Sequence, residues 1–373
     1  MRPETLALHA GRRIDAATGA LAPPLVLSTT FERDADGSYP RGIVYGRDAA
    51  PNRESFERAM AALEGGSSAA AFASGMAAMT AALHLLRPGD HVLAPEVCYY
   101  NLHNALEEIA APWGVTWSSV GSYTQDAVRT ALRPETRMIW IETPANPLLS
   151  VSDIAAASEV AHAAGALVVC DNTMATPLLQ QPISHGADLV VHSATKFIGG
   201  HSDVTGGVVV CAEEDAVAER IRRVQTVGGG VMAPFDAWLA LRGLGTLPVR
   251  LRAQCASALR IAMALAEHPC VEVVHYPGLL SHPDSVVVAR QMSGGGGVLS
   301  FEVRGGAEAA MAVAARVRLV ARATSFGGLH TTIEHRASIE PPDTPTPPGL
   351  LRLSVGLEHV DDLLEDLDAA LRA

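Results

Sequence analysis

Lysine is almost absent from this chain. Of its 373 residues 28 are basic, and Lys196 is the single lysine among them. An arginine-favouring gene explains the scarcity but not the survivor. An amine that must lose its proton and attack a carbonyl has to be lysine, because guanidinium stays charged and is not nucleophilic. Taken alone, Lys196 reads equally well as a chance surface residue. Cysteine is sparse too: Cys98, Cys170, Cys211, Cys255 and Cys270 are scattered and form no CxxC pair. That pattern argues against a zinc knuckle or a disulfide framework and fits a reducing compartment. No basic run occurs and the net charge is -12, so nucleic acid is not expected as a partner. Met1-Arg2-Pro3-Glu4-Thr5 opens no apolar h-region, so no signal peptide is expected. Apolar runs such as 166–170 and 189–191 are too short to cross a membrane and read as buried strands. The expectation is a cytoplasmic protein with no membrane, nucleic-acid or metal partner. No internal repeat on the scale of about 20 to 50 residues is present.

What is present fits a soluble globular chain. It is 48% hydrophobic and 18% charged, with room for a large core and two domains. Residues 1–50 have weak periodicity and carry Pro23-Pro24, Asp36-Gly37 and Pro40-Arg41-Gly42, which suggests an extended arm. From about 65 to 235, strand candidates (69–73, 91–94, 138–141, 167–170, 189–192 and 208–211) alternate with helical stretches such as 75–86 and 154–164. This α/β alternation predicts a mostly parallel sheet with helices on both faces. Beyond Pro234 a long helical stretch runs past 260, with a break expected near Gly243-Leu244-Gly245. Strands 271–275 and 298–303, helices 307–315 and 361–371 and a proline-rich loop at 341–348 then suggest a smaller α/β domain. The expected division is an arm at 1–50, a cofactor domain at 51–235 and a C-terminal domain at 236–373.

Ligands of such sheets sit at the carboxyl ends of the strands. The loops there carry Ser74-Gly75-Met76, Tyr99, Asn146, Asp171 and Ser193-Ala194-Thr195-Lys196. A lysine at a strand end beside two hydroxyls suits a Schiff base to an aldehyde cofactor that also bears a phosphate. Ser74-Gly75-Met76 stands where a strand passes into a helix, and its N–H groups and helix dipole suit a dianion. Ser74 is equally an ordinary N-cap. Asp171 closes an apolar strand, leads into Asn172-Thr173, and suits a protonated ring nitrogen; a solvated turn aspartate is the plainer alternative. Together these signals specify pyridoxal phosphate (PLP).

With these residues in view, the chain resembles the Cys/Met-metabolism family of PLP enzymes. The likeness runs from Leu27-Ser28-Thr29-Thr30-Phe31 to Arg352-Leu353-Ser354-Val355-Gly356. It includes Ala73-Ser74-Gly75-Met76-Ala77-Ala78, Glu142-Thr143-Pro144-Ala145-Asn146-Pro147 and Asp171-Asn172-Thr173. Further on it includes His192 with Ser193-Ala194-Thr195-Lys196, Gly199-Gly200-His201-Ser202-Asp203, Pro234-Phe235-Asp236 and Arg242-Gly243-Leu244. The resemblance implies the fold-type I transferase architecture, with a mostly parallel seven-stranded sheet, helices on both faces and a smaller C-terminal α/β domain. It implies that Lys196 binds the cofactor and moves protons, that Asp171 pairs with the ring nitrogen, and that Tyr99 stacks on the ring and serves as acid or base. Gly75, Met76, Ser193 and Thr195 would hold the phosphate, with Thr173 also at the cofactor. Tyr45 and Arg47 would reach the phosphate of a neighbouring subunit, making a homodimer the minimum and a homotetramer the usual state. Arg352, assisted by Asn146, would clamp the substrate α-carboxylate. Without the resemblance Arg352 reads as a surface arginine preceding a strand.

Four departures from the family pattern bear on the substrate. Tyr100-Asn101-Leu102 stands where many relatives have Gly-Gly-Thr, which makes the ring-side wall bulkier. Ala50-Pro51-Asn52 replaces Asn-Pro-Thr after the arm arginine. Val44 replaces an acidic residue suited to the distal ammonium of cystathionine. The loop Ser325-Phe326-Gly327-Gly328-Leu329-His330-Thr331-Thr332 carries His330 in place of a glutamate that lines the pocket in many relatives. There His330 would move protons, or else merely fill space or face solvent, and the Thr331 hydroxyl would touch the lysine. These changes favour a PLP-dependent lyase that eliminates the γ-substituent of a small L-amino acid, with halide among the possible leaving groups. A γ-replacement transferase and a catalytically silent PLP-binding protein are the alternatives.

Overall fold

The computed structural model describes residues 1–341 and 344–373; Pro342 and Asp343, in the proline-rich loop, lie outside the described residues. Seven strands make the larger sheet: β1 (Ser68–Phe72), β2 (His91–Pro95), β3 (Thr116–Val120), β4 (Thr136–Glu142), β5 (Leu167–Asp171), β6 (Leu189–Ser193) and β7 (Gly207–Cys211). Their order is β1-β7-β6-β5-β4-β2-β3. β7 runs antiparallel to β1 and β6, and the remaining pairs are parallel. Parallel strands buried on both faces read as continuous apolar runs, which is why Val168-Val169-Cys170 and Val190-Val191 stood out. Val169 and Val191 join the hydrophobic cluster on one face; Val168, Cys170 and Val190 join clusters on the other. β3 had no such signal. Its residues Thr116-Trp117-Ser118-Ser119-Val120 are partly exposed at the sheet edge.

The second sheet contains β8 (Val271–His275), β9 (Val298–Val303), β10 (Ala321–Arg322), β11 (Thr332–His335) and β12 (Leu350–Ser354), in the order β10-β11-β12-β9-β8. Helices Gly306–Arg316 and Val360–Arg372 contribute Val313, Leu363 and Leu367 to its core. Arg352 does not precede a strand: it lies within β12 and is buried, paired across the sheet with Glu334 of β11. Residues 10–50 contain no helix or strand element. No helix among the described residues is long and apolar enough to cross a membrane.

Helix Pro234–Ala266 runs unbroken for 33 residues, through Gly243-Leu244-Gly245 and past Pro248. The expected break is absent because Gly243 serves a close approach and not a turn. A Cβ there would lie 2.4 Å from the carbonyl oxygens of both Ile198 and Gly199, in the loop that follows Lys196. Arg250, on the same helix, donates to Phe197 O at 3.0 Å and to Gly243 O at 2.9 Å. The first half of the helix packs with the larger sheet through Ala240, Leu244 and Leu247. The second half packs with the smaller sheet through Ala258, Ile261 and Leu265. The division expected at 235 falls at the start of this helix.

Gly243→Ala is therefore expected to lower stability. In an exposed helix the change would stabilise by about 1 kcal/mol, but overpacking against a fixed backbone costs about 1–3 kcal/mol. Thermal unfolding should show a lower Tm, and a raised Tm would show that the helix does not press on the lysine loop.

Candidate active site

A cavity of about 380 Å³ opens at the carboxyl ends of β4, β5 and β6, and residues of the second sheet and its loops close it. That size suits a small-molecule ligand. Lys196 follows β6 and is half-buried, and its Nζ donates to Ser325 Oγ at 2.7 Å. Burial, and then the Arg352 guanidinium, lower its pKa from 10.5 to about 8. The amine is thus within reach of deprotonation near neutral pH.

β4 and β5 end in carboxylates at the same register, Glu142 opposite Asp171. Burial raises the pKa of Asp171, opposed by its hydrogen bonds to Thr173. The Thr173 N–H donates to Asp171 Oδ1 at 2.9 Å, and Thr173 Oγ1 accepts the Ser193 N–H at 2.8 Å. Thr173 thereby ties the end of β5 to the end of β6. Glu142 holds two other parts of the site. Its Oε2 accepts the Tyr99 N–H at 2.9 Å and its Oε1 accepts the Asn146 N–H at 2.8 Å. Burial, and then Asp171, raise its pKa to about 8.

The helix Gly75–Leu83 starts at the cavity. Ser74 is its N-cap, accepting the Ala77 N–H at 3.1 Å. The N–H groups of Gly75 and Met76 belong to the first turn and have no acceptor within the helix. Both residues line the cavity beside Ser193 and Thr195. A Cβ on residue 75 would lie 2.9 Å from the Ser193 Cβ, so glycine lets the helix start close on β6. An amine, a carboxylate, an aromatic wall at Tyr99 and a donor-rich helix start share one cavity. This set fits PLP.

Arg352 is aimed by three acceptors. Nη1 donates to Asn146 Oδ1 at 2.7 Å, and Nη2 donates to Ser325 O at 3.0 Å and to Glu334 Oε2 at 2.7 Å. Burial, and then Arg336, lower its pKa to about 10.

The remaining expected residues divide. Tyr100 lines the cavity. Asn101 does not; its Nδ2 donates to the Tyr99 phenol oxygen at 2.7 Å and leaves the phenol proton free for another partner. Two expectations are corrected. The His330 side chain is 87% exposed and lies outside the cavity, 3.9 Å from Glu358. Thr331 does not touch the lysine: its hydroxyl donates to Glu358 Oε2 at 2.6 Å and accepts the Gly356 N–H at 2.8 Å. The chain bends at 327–330, ahead of β11, so Thr331 is buried while His330 is exposed. Ser325, at the other end of the loop, supplies the hydroxyl to Lys196. Tyr45 and Arg47 lie outside this chain's own cavity, with the guanidinium over the tyrosine ring at 5.4 Å. Glu142, Glu334 and Arg336 also line the cavity and were not expected as site residues. Glu142 had a readable signal, since it closes an apolar strand as Asp171 does. Glu334 and Arg336 had none while β11 went unread.

The family model for the Cys/Met metabolism PLP-dependent enzymes matches residues 4–372. The cystathionine gamma-synthase of Mycobacterium tuberculosis is 45% identical, over 99% of this chain and 96% of its own. The crystal structure of metB from Corynebacterium glutamicum superposes with a TM-score of 0.97 at 38% identity, covering 100% of this chain and 98% of that one. Apo CalE6, a methionine gamma lyase from Micromonospora echinospora, gives a TM-score of 0.93 at 40% identity, covering 100% and 99%.

The lowered lysine pKa fixes a pH dependence. A depressed amine is neutral above its own pKa, so capture of pyridoxal phosphate by the apoprotein should accelerate with a midpoint near pH 8. Stopped-flow absorbance across pH 6.5 to about 10.5 would measure it, that upper limit being the ordinary lysine pKa. A rate still climbing at the upper end would contradict the burial argument, and Lys196→Ala should capture no cofactor covalently.

Proposed function

The chain belongs to the Cys/Met metabolism family of PLP-dependent enzymes, whose chemistry is elimination or replacement at the γ-carbon of Cys/Met-type amino acids, and we propose that it is a lyase eliminating the γ-substituent of a small L-amino acid. One observation carries the choice of a small substrate. The carboxylates lining the cavity are already matched in charge or held by the backbone, although Glu334 Oε1 accepts no hydrogen bond among the described residues. Glu334 accepts from two guanidiniums, Glu142 from two backbone N–H groups, and Asp171 from the Thr173 N–H. The distal ammonium of cystathionine would be buried there without a free counter-charge, which is penalised. Val44, on the arm, adds none.

In this reading Lys196, Asp171, Thr173, Tyr99, Gly75, Met76, Ser193 and Thr195 hold the cofactor. Bound there, PLP supplies an electron sink for the charge left when Cα loses its proton. Arg352 and Asn146 bind the α-carboxylate and so fix which Cα substituent faces Lys196. Nζ of Lys196, oriented by Ser325 Oγ, takes the Cα proton. Tyr99, with Asn101 on its phenol oxygen, offers a proton near the departing group. Tyr100, Phe326, Met79 and Ile339 exclude water from one wall. Lys196 then takes a Cβ proton as well. The pair left at Cβ forms the Cβ–Cγ double bond as the γ-substituent leaves with the electron pair of its bond to Cγ, and reprotonation at Cγ and hydrolysis by water finally release a 2-oxo acid and ammonia. Sulfur, O-acyl and halide groups all satisfy this scheme.

The active site is shared between subunits in this proposal, with a homodimer as the minimum and a homotetramer as the complete form. Tyr45 and Arg47 would then serve a neighbour's phosphate. Leu8, Ile14, Leu21 and Leu27 on the same N-terminal segment are 58–67% exposed, an apolar surface that a second copy would cover. Similarity to a named cystathionine gamma-synthase favours the second reading, γ-replacement.

Mass spectrometry of the holoenzyme in D2O decides between them. The panel holds cystathionine, methionine, O-acylhomoserines and γ-halo amino acids, each with and without a thiol. The lyase reading expects release of the γ-group and a 2-oxo acid with deuterium at Cβ, whether or not thiol is added, with any Cα deuterium confined to recovered substrate. A thioether as the main product would make the enzyme a transferase, and cystathionine turned over as fast as any smaller substrate would remove the size argument. For the shared site, mixing inactive Lys196→Ala protein with inactive Tyr45→Ala protein should restore part of the activity. No recovery after confirmed subunit exchange would place the arm elsewhere.

A further inference from the structure

Arg336 lines the same cavity, in the short 3-10 turn Arg336–Ser338 that follows β11. It is buried between two carboxylates. Its Nη1 donates to Glu334 Oε2 at 2.6 Å, its Nε donates to Glu340 Oε1 at 3.0 Å, and Nη2 also bonds Glu340. Glu334 Oε2 in turn accepts from Arg352 Nη2 at 2.7 Å. The result is a buried chain of alternating charges, Arg352, Glu334, Arg336 and Glu340, whose last carboxylate accepts the Thr346 hydroxyl. Two cations and two anions cancel. Both bonds on Glu334 fall on Oε2, while Oε1 is buried with no hydrogen-bond partner among the described residues. The charge of Glu334 is therefore balanced by the two guanidiniums alone.

A carboxylate entering the cavity must compete with Glu334 for Arg352. Arg336 decides that competition. While it holds Glu334 from the far side, Arg352 can turn its donors to the ligand and leave no unpaired anion behind. Without it, the full charge of Glu334 would face Arg352 alone and repel a second carboxylate a few ångströms away.

We infer that Arg336 is a positioning residue for substrate recognition, which neutralises Glu334 and so keeps Arg352 available to the α-carboxylate of an amino acid. The inference rests on the reading of Arg352 as the carboxylate clamp. It makes Arg336 a selector for α-amino acids over amines of the same shape.

The test is a spectral titration of the holoenzyme with two unreactive ligands, L-norleucine and its decarboxylated counterpart pentylamine. Arg336→Gln should raise the Kd of norleucine by about tenfold or more while moving that of pentylamine by less than about twofold. With turnover substrates KM should rise more than kcat falls. Glu334→Gln combined with Arg336→Gln should restore norleucine binding, because the competing anion leaves with its counter-ion. Equal losses for both ligands, or a double variant as weak as the single one, would reduce Arg336 to a structural role. If Arg336→Gln does not fold, Glu334→Gln alone decides: norleucine should bind more tightly, and weaker binding overturns the inference. Arg352→Gln separates the two layers. If it leaves norleucine binding unchanged, the clamp reading fails and this inference with it. If it weakens binding while Arg336→Gln does not, only the inference fails.

Discussion

An amine sheltered from water beside guanidiniums loses its proton more readily than one in solvent, and much of this structure maintains that condition at Lys196. The lysine sits at the mouth of β6, on a loop that would be free to move without support. Helix Pro234–Ala266 supplies the support. Gly243 lets its backbone press against Ile198 and Gly199, and Arg250 caps the carbonyl of Phe197. A single helix thereby fixes the loop from behind while its far end serves the core of the second sheet.

The cavity is a seam between the two sheets, and two hydrogen bonds stitch it. Lys196 reaches across to Ser325, and Arg352 reaches back to Asn146. Donors and acceptors face each other across the seam. The carboxylates Glu142 and Asp171 cap parallel strands of the larger sheet, whereas both guanidiniums come from the smaller one. In the proposed reading the α-carboxylate of an amino acid lies towards Arg352 and its nitrogen towards Lys196.

The larger sheet was legible because its strands are apolar on both faces and alternate with helices. Most site residues were legible because the strand ends of such a sheet are where polar residues interrupt apolar runs, as Asp171 and Ser193 do. The smaller sheet was less so. β10, β11 and β12 are short or mix charge with apolar residues, since Glu334, Arg336 and Arg352 turn polar groups towards a buried cavity. Periodicity treats such residues as solvent-facing. His330 was legible only as two alternatives, a pocket role or a solvent-facing filler: its motif position suggested the pocket, but a motif does not convey how the backbone bends at 327–330, and there the side chain faces solvent. The glycines at 243 and 245 were read as a break because local propensity carries no information about a backbone packed 2.4 Å from where a Cβ would stand.

The alternating chain from Arg352 to Glu340 also constrains how this pocket can diverge. Losing one member strands a buried ion, at a cost of about 3–5 kcal/mol, a large share of the stability of an ordinary domain. Positions 334, 336 and 340 therefore cannot drift independently. A lineage that gives up arginine at 336 must shed an acid at 334 or 340 in nearly the same step, so the three positions form one heritable unit whose correlated changes would trace shifts in what the pocket accepts.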